Sequence, residues 1–508
     1  MKRIASLLLG LAMAAAALSG CGAQGRETAA QEFPDAVSIV LSDDGIIVDG
    51  KAVSTDESAA VHTAHDIVCY ESGRDFTYGE GTEADEHTAE EAEAHTVVHI
   101  TQPGTYALSG TLSAGQIAVD LGEDAEDDPA AVVTLILNGV DITCTVAPAV
   151  IFYNVYECGS TDEDTASETV DTSAAGANVL IADGTINNVT GSYVARIYDP
   201  DSVVLSEDGM TVEDSEKLHK YDGAFYSKMS MNVDGGEAGT GVLNITADNE
   251  GLDTELHLTI NGGTINITSG NDGINTNEDN VSVTTVNGGS VNIQVTGETG
   301  EGDGIDSNGS ITMTGGTVFV SGPVSGGDGA IDFETDMTMT GGSILALSSR
   351  GMMEYPSTQY YYTTSISANA GDFIAVCDAD GNVLMGMQTQ KAVSDVVYYG
   401  DQMDNCQLIV DGTYSGTLSD DGTATDGTVS GGTVADSFQL TDGSEQSSAP
   451  GNFGGKDGTP PNNGEMPTFA DGEQPEPPQG EFGNGQQNGE NGAPTPPQGG
   501  QPSENTTA

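Results

Sequence analysis

Basic residues are scarce in this chain. Twelve Lys and Arg stand against 79 Asp and Glu, for a formal net charge of −67. A surface this negative excludes nucleic acid and anionic surfaces as partners and favours solubility and bound cations. Between Lys228 and Arg350 there is no Lys or Arg at all. A reaction that needs a basic side chain as proton acceptor therefore has no candidate within that stretch. Lys217, Lys220, Lys228 and Arg350 flank it and read as surface charge. No Cys–His spacing suits zinc, and no nucleophile elbow or phosphate loop stands out. Tryptophan is absent. His62, His65, His87, His95 and His99 lie in or near an acidic, weakly patterned stretch and read as solvated surface. Apolar content remains adequate for a core, so this is not simply a disordered acidic chain.

Long hydrophobic runs are missing too. The one apolar run, from Ile4 to Leu18, follows Lys2 and Arg3 and is too short to span a bilayer comfortably. It ends at Leu18-Ser19-Gly20-Cys21. A charged start, a short apolar stretch and small residues at the break read as a secretory signal over residues 1–20. The last four residues resemble a bacterial lipobox, in which the Cys becomes a lipid-modified N-terminus. The expectation is an exported protein on the outer face of the cell membrane, anchored only by a lipid on Cys21. Residues 21–36 would form a tether. Removing Lys2 and Arg3 leaves 12 − 2 = 10 basic residues. Beyond Cys21, Cys144 with Cys158 and Cys377 with Cys406 are open as disulfide pairs, since connectivity cannot be read from spacing.

The most informative feature is a repeat. Glycine pairs fall at Gly262–Gly263, Gly288–Gly289, Gly315–Gly316 and Gly341–Gly342, at spacings of 26, 27 and 26 residues. Ile260, Val286, Met313 and Met339 stand two residues before each pair. Ile265, Val291, Val318 and Ile344 follow it, and Ile267, Ile293, Val320 and Ala346 come two residues later. Apolar residues at period two predict strands. A second turn recurs as Glu250-Gly251-Leu252-Asp253, Asp272-Gly273-Ile274-Asn275, Asp303-Gly304-Ile305-Asp306 and, more loosely, Asp328-Gly329-Ala330-Ile331-Asp332. Asp222-Gly223 opens an earlier copy. Such units bury their apolar face only by stacking. The expected fold is all-β: a right-handed parallel β-helix, with a β-sandwich as the alternative. The solenoid would span residues 37–350, with polar surface insertions at 54–94 and 161–176. A small C-terminal β cap would follow at 351–412, and a low-complexity, disordered tail at 413–508.

Several segments together resemble the clostridial cell-surface carbohydrate-binding proteins of the parallel β-helix type (the DUF4353 family). They are Ser38-Ile39-Val40-Leu41-Ser42-Asp43-Asp44-Gly45, Gly104 to Leu112, Val133 to Ile142, Ala182 to Asn187, Asp222 to Lys228, the Asp-Gly-Ile turns and Asp380 to Leu384. The resemblance implies a fold similar to pectate lyases, bound calcium and affinity for plant polysaccharides, including acidic ones. The two insertions and the Tyr-rich stretch 355–362 depart from the pattern.

Stacked units would set Asp253, Asn275, Asp306 and Asp332 in one column and Asp272, Asp303 and Asp328 in another, roughly 4.8 Å apart. Columns of carboxylates repel unless a cation lies between them, and hard oxygens at this spacing suit calcium. The alternative is that Asp and Asn serve only as turn formers. For function, a monomeric polysaccharide binder needs the least: a long face of repeating side chains, with Tyr355, Tyr360, Tyr361 and Tyr362 as candidates for stacking on sugar rings. A polysaccharide lyase acting on uronate polymers and a structural adhesin or spacer are the alternatives.

Overall fold

The computed structural model describes residues 31–296, 302–324, 328–348, 354–355, 360–400, 405–438 and 440–442. Cys21, the signal and the tail beyond 442 lie outside them. The described chain is all-β, with one short helix at Ala89–Glu93 and two 3-10 turns.

Each repeat folds into three short strands. One unit gives Glu250–Thr254, Leu258–Ile260 and Thr264–Ser269; the next gives Ile274–Thr276, Val283–Val286 and Ser290–Val295. Each strand pairs in parallel with its counterpart in the following unit, and three columns result. The first column continues through Ile305–Ser307 to Ile331–Phe333 and back through Gly223–Ser227, Val150–Phe152 and Gly115–Val119 to Thr96–Ile100. The pairing keeps strict register. Ile260, Val286, Met313 and Met339 are stacked partners, as are Ile265, Val291, Val318 and Ile344. All eight are buried. At roughly 1.5–3 kcal/mol per buried side chain, each unit is held mainly by its neighbours.

The second glycine of each pair is required, and so is the first in three of the four, for different reasons. The second has φ of +86° at Gly263, +82° at Gly289, +85° at Gly316 and +86° at Gly342. The first lies against the turn below: a Cβ on Gly315 would meet the Asn287 carbonyl oxygen at 2.5 Å, and one on Gly341 the Thr314 oxygen at 2.4 Å. No larger residue fits these places without moving the backbone, whereas a Cβ on Gly262 would come no closer than 3.4 Å to the turn below.

The outer side of the third column carries a second row. Asn188, Asn244, Asn266 and Asn292 are stacked partners, and each amide donates to the one before it at 2.7–2.9 Å. The same position then becomes Phe319 and Leu345. There the cap covers it. Strand Val393–Tyr399 pairs antiparallel with Ser343–Ser348, and Phe319, Leu345 and Leu347 share a core with Ile374, Val376 and Leu408.

Three expectations need correction, and the open disulfide pairings are answered. The segment 54–94 is not merely a surface insertion: Val61–Ala64 joins the first column, and Ile67, Cys69 and Tyr70 are buried in the core. His62 and His95 are buried as well. The tail does not begin at 413, because Thr423–Ala424 and Thr433–Phe438 are strands of the five-stranded cap sheet. Cys144, Cys158, Cys377 and Cys406 are all free thiols, so neither disulfide forms. The segment 161–176 is exposed over most of its length, but Thr172 and Ala175 are buried. Its Thr172 hydroxyl donates to the Asn232 side-chain oxygen at 2.7 Å and lies 2.6 Å from the Thr259 hydroxyl, both in the second column.

Candidate functional site

The repeated second turn positions the acidic residues. Asp253 pairs with Asn275, Asn275 with Asp306, and Asp306 with Asp332, so these four form one column. The residue before each turn glycine forms the other. There the Asp303 N–H donates to the Asp272 carboxylate at 2.6 Å, the Gly329 N–H to Asp303 at 2.5 Å, and the Gly302 N–H to Asp328 at 3.0 Å. Part of this second column's acceptor capacity is thus used in holding the turns.

Two groups of carboxylates converge where the columns meet. Asp222, Glu250 and Asp253 bring oxygens within 4.8 Å of one another, and so do Asp303, Asp306 and Asp332. The first group is deeply enclosed. Asp253 is fully buried and Glu250 is 5% exposed. Asn277 donates to one Asp253 oxygen at 2.6 Å, but Asp253 Oδ2, Glu250 Oε2 and Asn275 Oδ1 are buried with no hydrogen-bond partner. Three buried oxygens without partners, two of them on members of this group and one on the next residue of its column, are costly as they stand. Hard oxygen donors in this number and spacing fit a calcium ion, which takes six to eight oxygens at roughly 2.3–2.6 Å.

The electrostatics agree. Burial pushes the Glu250 and Asp253 carboxyls well above their usual range, and the carboxylates around them push further. Burial and then Asp272 raise Asp303 to about 9. Burial, and after it Asp332, raises Glu354 to about 7. Negative charge is therefore disfavoured here unless a cation supplies compensation.

One cation of the chain's own reaches the first group. Strand Lys217–Tyr221 runs antiparallel to Val194–Tyr198 and brings Lys220 to Asp222, with 2.5 Å between the charged atoms. Lys217 contacts both Glu255 oxygens at 2.9 and 3.0 Å, and Tyr226 donates to Glu255 at 2.6 Å. Burial opposes the charge on Lys220, but Asp222 and then Glu250 outweigh it and raise its pKa. The lysines that read as surface charge thus sit at the edge of the acidic columns.

Asp222 and Glu250 were not among the expected ligands. Their signal was present, because both precede a turn glycine as Asp272, Asp303 and Asp328 do. The expected tyrosines fare worse. Tyr361 and Tyr362 are buried in the cap: Tyr361 stacks on Tyr355, and Tyr362 stacks on Phe438 with ring centres 3.6 Å apart while donating to Asp436. Phe438 covers one face of Tyr362, and the ring is buried. Tyr355 is half-buried under this packing, and the Tyr360 side chain lies outside the described residues.

Residues 94–443 match the model of a family described as carbohydrate-binding domain-containing protein. A carbohydrate-binding domain-containing protein of Acetivibrio thermocellus is 28% identical over 167 residues, 33% of this chain and 43% of that relative's length. The chain therefore spans less than half of that curated relative. A solved structure titled as the polysaccharide lyase-like protein from C. thermocellum, gadolinium derivative, overlaps 61% of this chain and 93% of its own at 19% identity and a TM-score of 0.32.

Proposed function

The chain belongs to the carbohydrate-binding domain-containing family, and we propose that it is a non-catalytic polysaccharide binder, stabilised by calcium and held at the outer face of the cell membrane by a lipid on Cys21. The observation that carries the binding reading is the extent of the family match, which takes in most of the stack and the cap. The glycan is cellulose-like or an acidic pectic polymer, and the protein acts as a monomer. The three columns of parallel strands are read as the walls of a right-handed parallel β-helix of the clostridial cell-surface type. Parallel in-register pairing supports this, because such crossovers are right-handed in about 98% of cases. Calcium would be held by Asp222, Glu250, Asp253 and Asn275 in one group and by Asp303, Asp306 and Asp332 in the other. It would supply the positive charge that the enclosed carboxylates lack.

A second reading, β-elimination on a uronate polymer, is favoured by the approach of Lys220 to Asp222 beside a calcium-competent group. The raised pKa of Lys220 counts against it as a proton acceptor near neutral pH. Glycan-array binding, with and without chelator, separates the readings. Retention of a polysaccharide with no product supports the binder. Release of an unsaturated uronide from polygalacturonate overturns it, and binding of nothing points to a spacer.

A further inference from the structure

Beside the acidic columns lies a cleft of 670 Å³. Its floor is the outward face of the first column at the N-terminal units, where His99, Gln116, Tyr153 and Asn154 stand. One wall is the strand Lys217–Tyr221, carried on the arm that begins at Val194–Tyr198. We infer that this cleft binds a short segment of a neutral, hydroxyl-rich sugar chain. The inference rests on the carbohydrate-binding reading and gives it a place and a substrate class.

Three observations support it. The volume falls within the range of small-molecule sites, roughly 300–1,000 Å³. The polar groups are held in position before any ligand arrives: His99 contacts Asp66 at 2.9 Å, Asn154 donates to Asp120 at 2.9 Å, and His219 meets the Tyr221 hydroxyl at 2.6 Å. Groups already fixed lose little freedom on binding, which lowers its cost. Tyr153 and Tyr221 pack edge to face with centres 5.5 Å apart, and exposed Leu218 adds apolar surface at the rim. The cleft is therefore amphipathic, as a sugar ring with polar edges and apolar faces requires.

Charge decides the class of sugar. Five carboxylates line the cleft against three lysines, and two of those lysines already face Glu255 and Asp222. Of these three lysines, Lys228 alone stands exposed with no ion pair to a described residue. On a chain of net charge −67, a uronate would meet repulsion, while a neutral sugar pays no such penalty and finds carboxylates, imidazoles and amides as hydroxyl partners.

The test is titration of the full chain with neutral gluco-, xylo- and manno-oligosaccharides and with oligogalacturonate, at physiological salt and in chelator. Calorimetry or tyrosine fluorescence reads the binding; the chain has no tryptophan to obscure the latter. At least one neutral oligosaccharide is expected to bind more tightly than oligogalacturonate. Its affinity should fall about ten-fold in His99→Ala or Asn154→Ala and stay unchanged in Lys51→Ala, which lies outside the cleft. Circular dichroism and the melting temperature identify any variant that has lost its fold, and Lys228→Ala, at an exposed position, then serves in its place. Tighter binding of oligogalacturonate in chelator overturns the inference, as does neutral binding unchanged in folded cleft variants. If polysaccharide is still retained in that last case, only the cleft assignment fails. If no glycan is retained by the unaltered chain, the carbohydrate-binding reading fails with it.

Discussion

Two polar rows run along the same stack and behave oppositely. Asn188, Asn244, Asn266 and Asn292 satisfy one another down the third column, because an amide both donates and accepts. Asp253, Asn275, Asp306 and Asp332 have the same register on the first column, but there Asp253 Oδ2 and Asn275 Oδ1 are buried without a hydrogen-bond partner, because carboxylates on either side bring acceptors and no donors. One geometry thus gives a self-sufficient ladder where successive members are all amides, and buried oxygens without partners where carboxylates flank an amide. Within the acidic row the two groups differ again. Asp222, Glu250 and Asp253 have Lys220 beside them, whereas Asp303, Asp306 and Asp332 belong to the stretch that carries no lysine or arginine.

The largest expected effect comes from calcium. Adding it to chelated protein should raise the melting temperature by several degrees, since ligand at a hundred-fold excess over its Kd adds roughly 2.7 kcal/mol per site. Scanning calorimetry with and without chelator reads this directly, and coincident curves would remove the distinction between the two rows.

Next is the pH dependence of the chelated protein. The Asp303 carboxyl titrates at about 9 when folded, against an ordinary value of 3.8. The folded chain therefore holds a proton that the unfolded chain releases. That contribution to stability is complete below about pH 4 and is lost as pH rises toward about 9. Without calcium, the melting temperature should fall between pH 5 and pH 8.5, and saturating calcium should flatten the trend. A rise with pH in chelator would contradict the assignment.

A smaller effect separates the two acidic groups. Asp303→Asn should abolish much of the calcium-dependent shift while stabilising the chelated protein at pH 8. Asp222→Asn should keep more of the shift but leave Lys220 without its partner. Lys220→Met should cost about 1 kcal/mol in chelator, discounted because its side chain is 42% exposed, and less in calcium. Equal behaviour of the two Asp→Asn variants would show that the lysine makes no difference.

The smallest effect tests the neutral row. Asn266→Ala removes one amide contact on each side and should cost about 1 kcal/mol in urea titration, whatever the pH or calcium concentration. A calcium-dependent loss there would mean that the rows are not independent.

Much of the stack was legible in the sequence. The glycine pairs and the apolar residues around them gave the strands, their order and their register. The acidic columns followed from that register, since residues one repeat apart become neighbours. What escaped was whatever depended on segments outside the repeat. The burial of Ile67 and Tyr70 within an acidic insertion left no periodic trace. The tyrosines at 361 and 362 looked available until the cap, with Phe438 and Asp436 arriving from more than 70 residues away, closed over Tyr362. The strands Thr423–Ala424 and Thr433–Phe438 lie in a Gly-, Thr- and Asp-rich stretch without a sustained apolar pattern, and they form as members of the cap sheet.

The sequence by itself determined how the repeats stack, because a period-two apolar pattern and two glycines per turn permit one register. It also determined that carboxylates would line up, because identical positions in stacked units lie one strand spacing apart. Only the tertiary structure decided that Glu250 and Asp222 complete a group with Asp253, that Lys217 and Lys220 reach the edge of that column, and that a cleft opens beside it. Those outcomes depend on where a non-repeating arm folds back onto the stack, and nothing local in its sequence encodes that position.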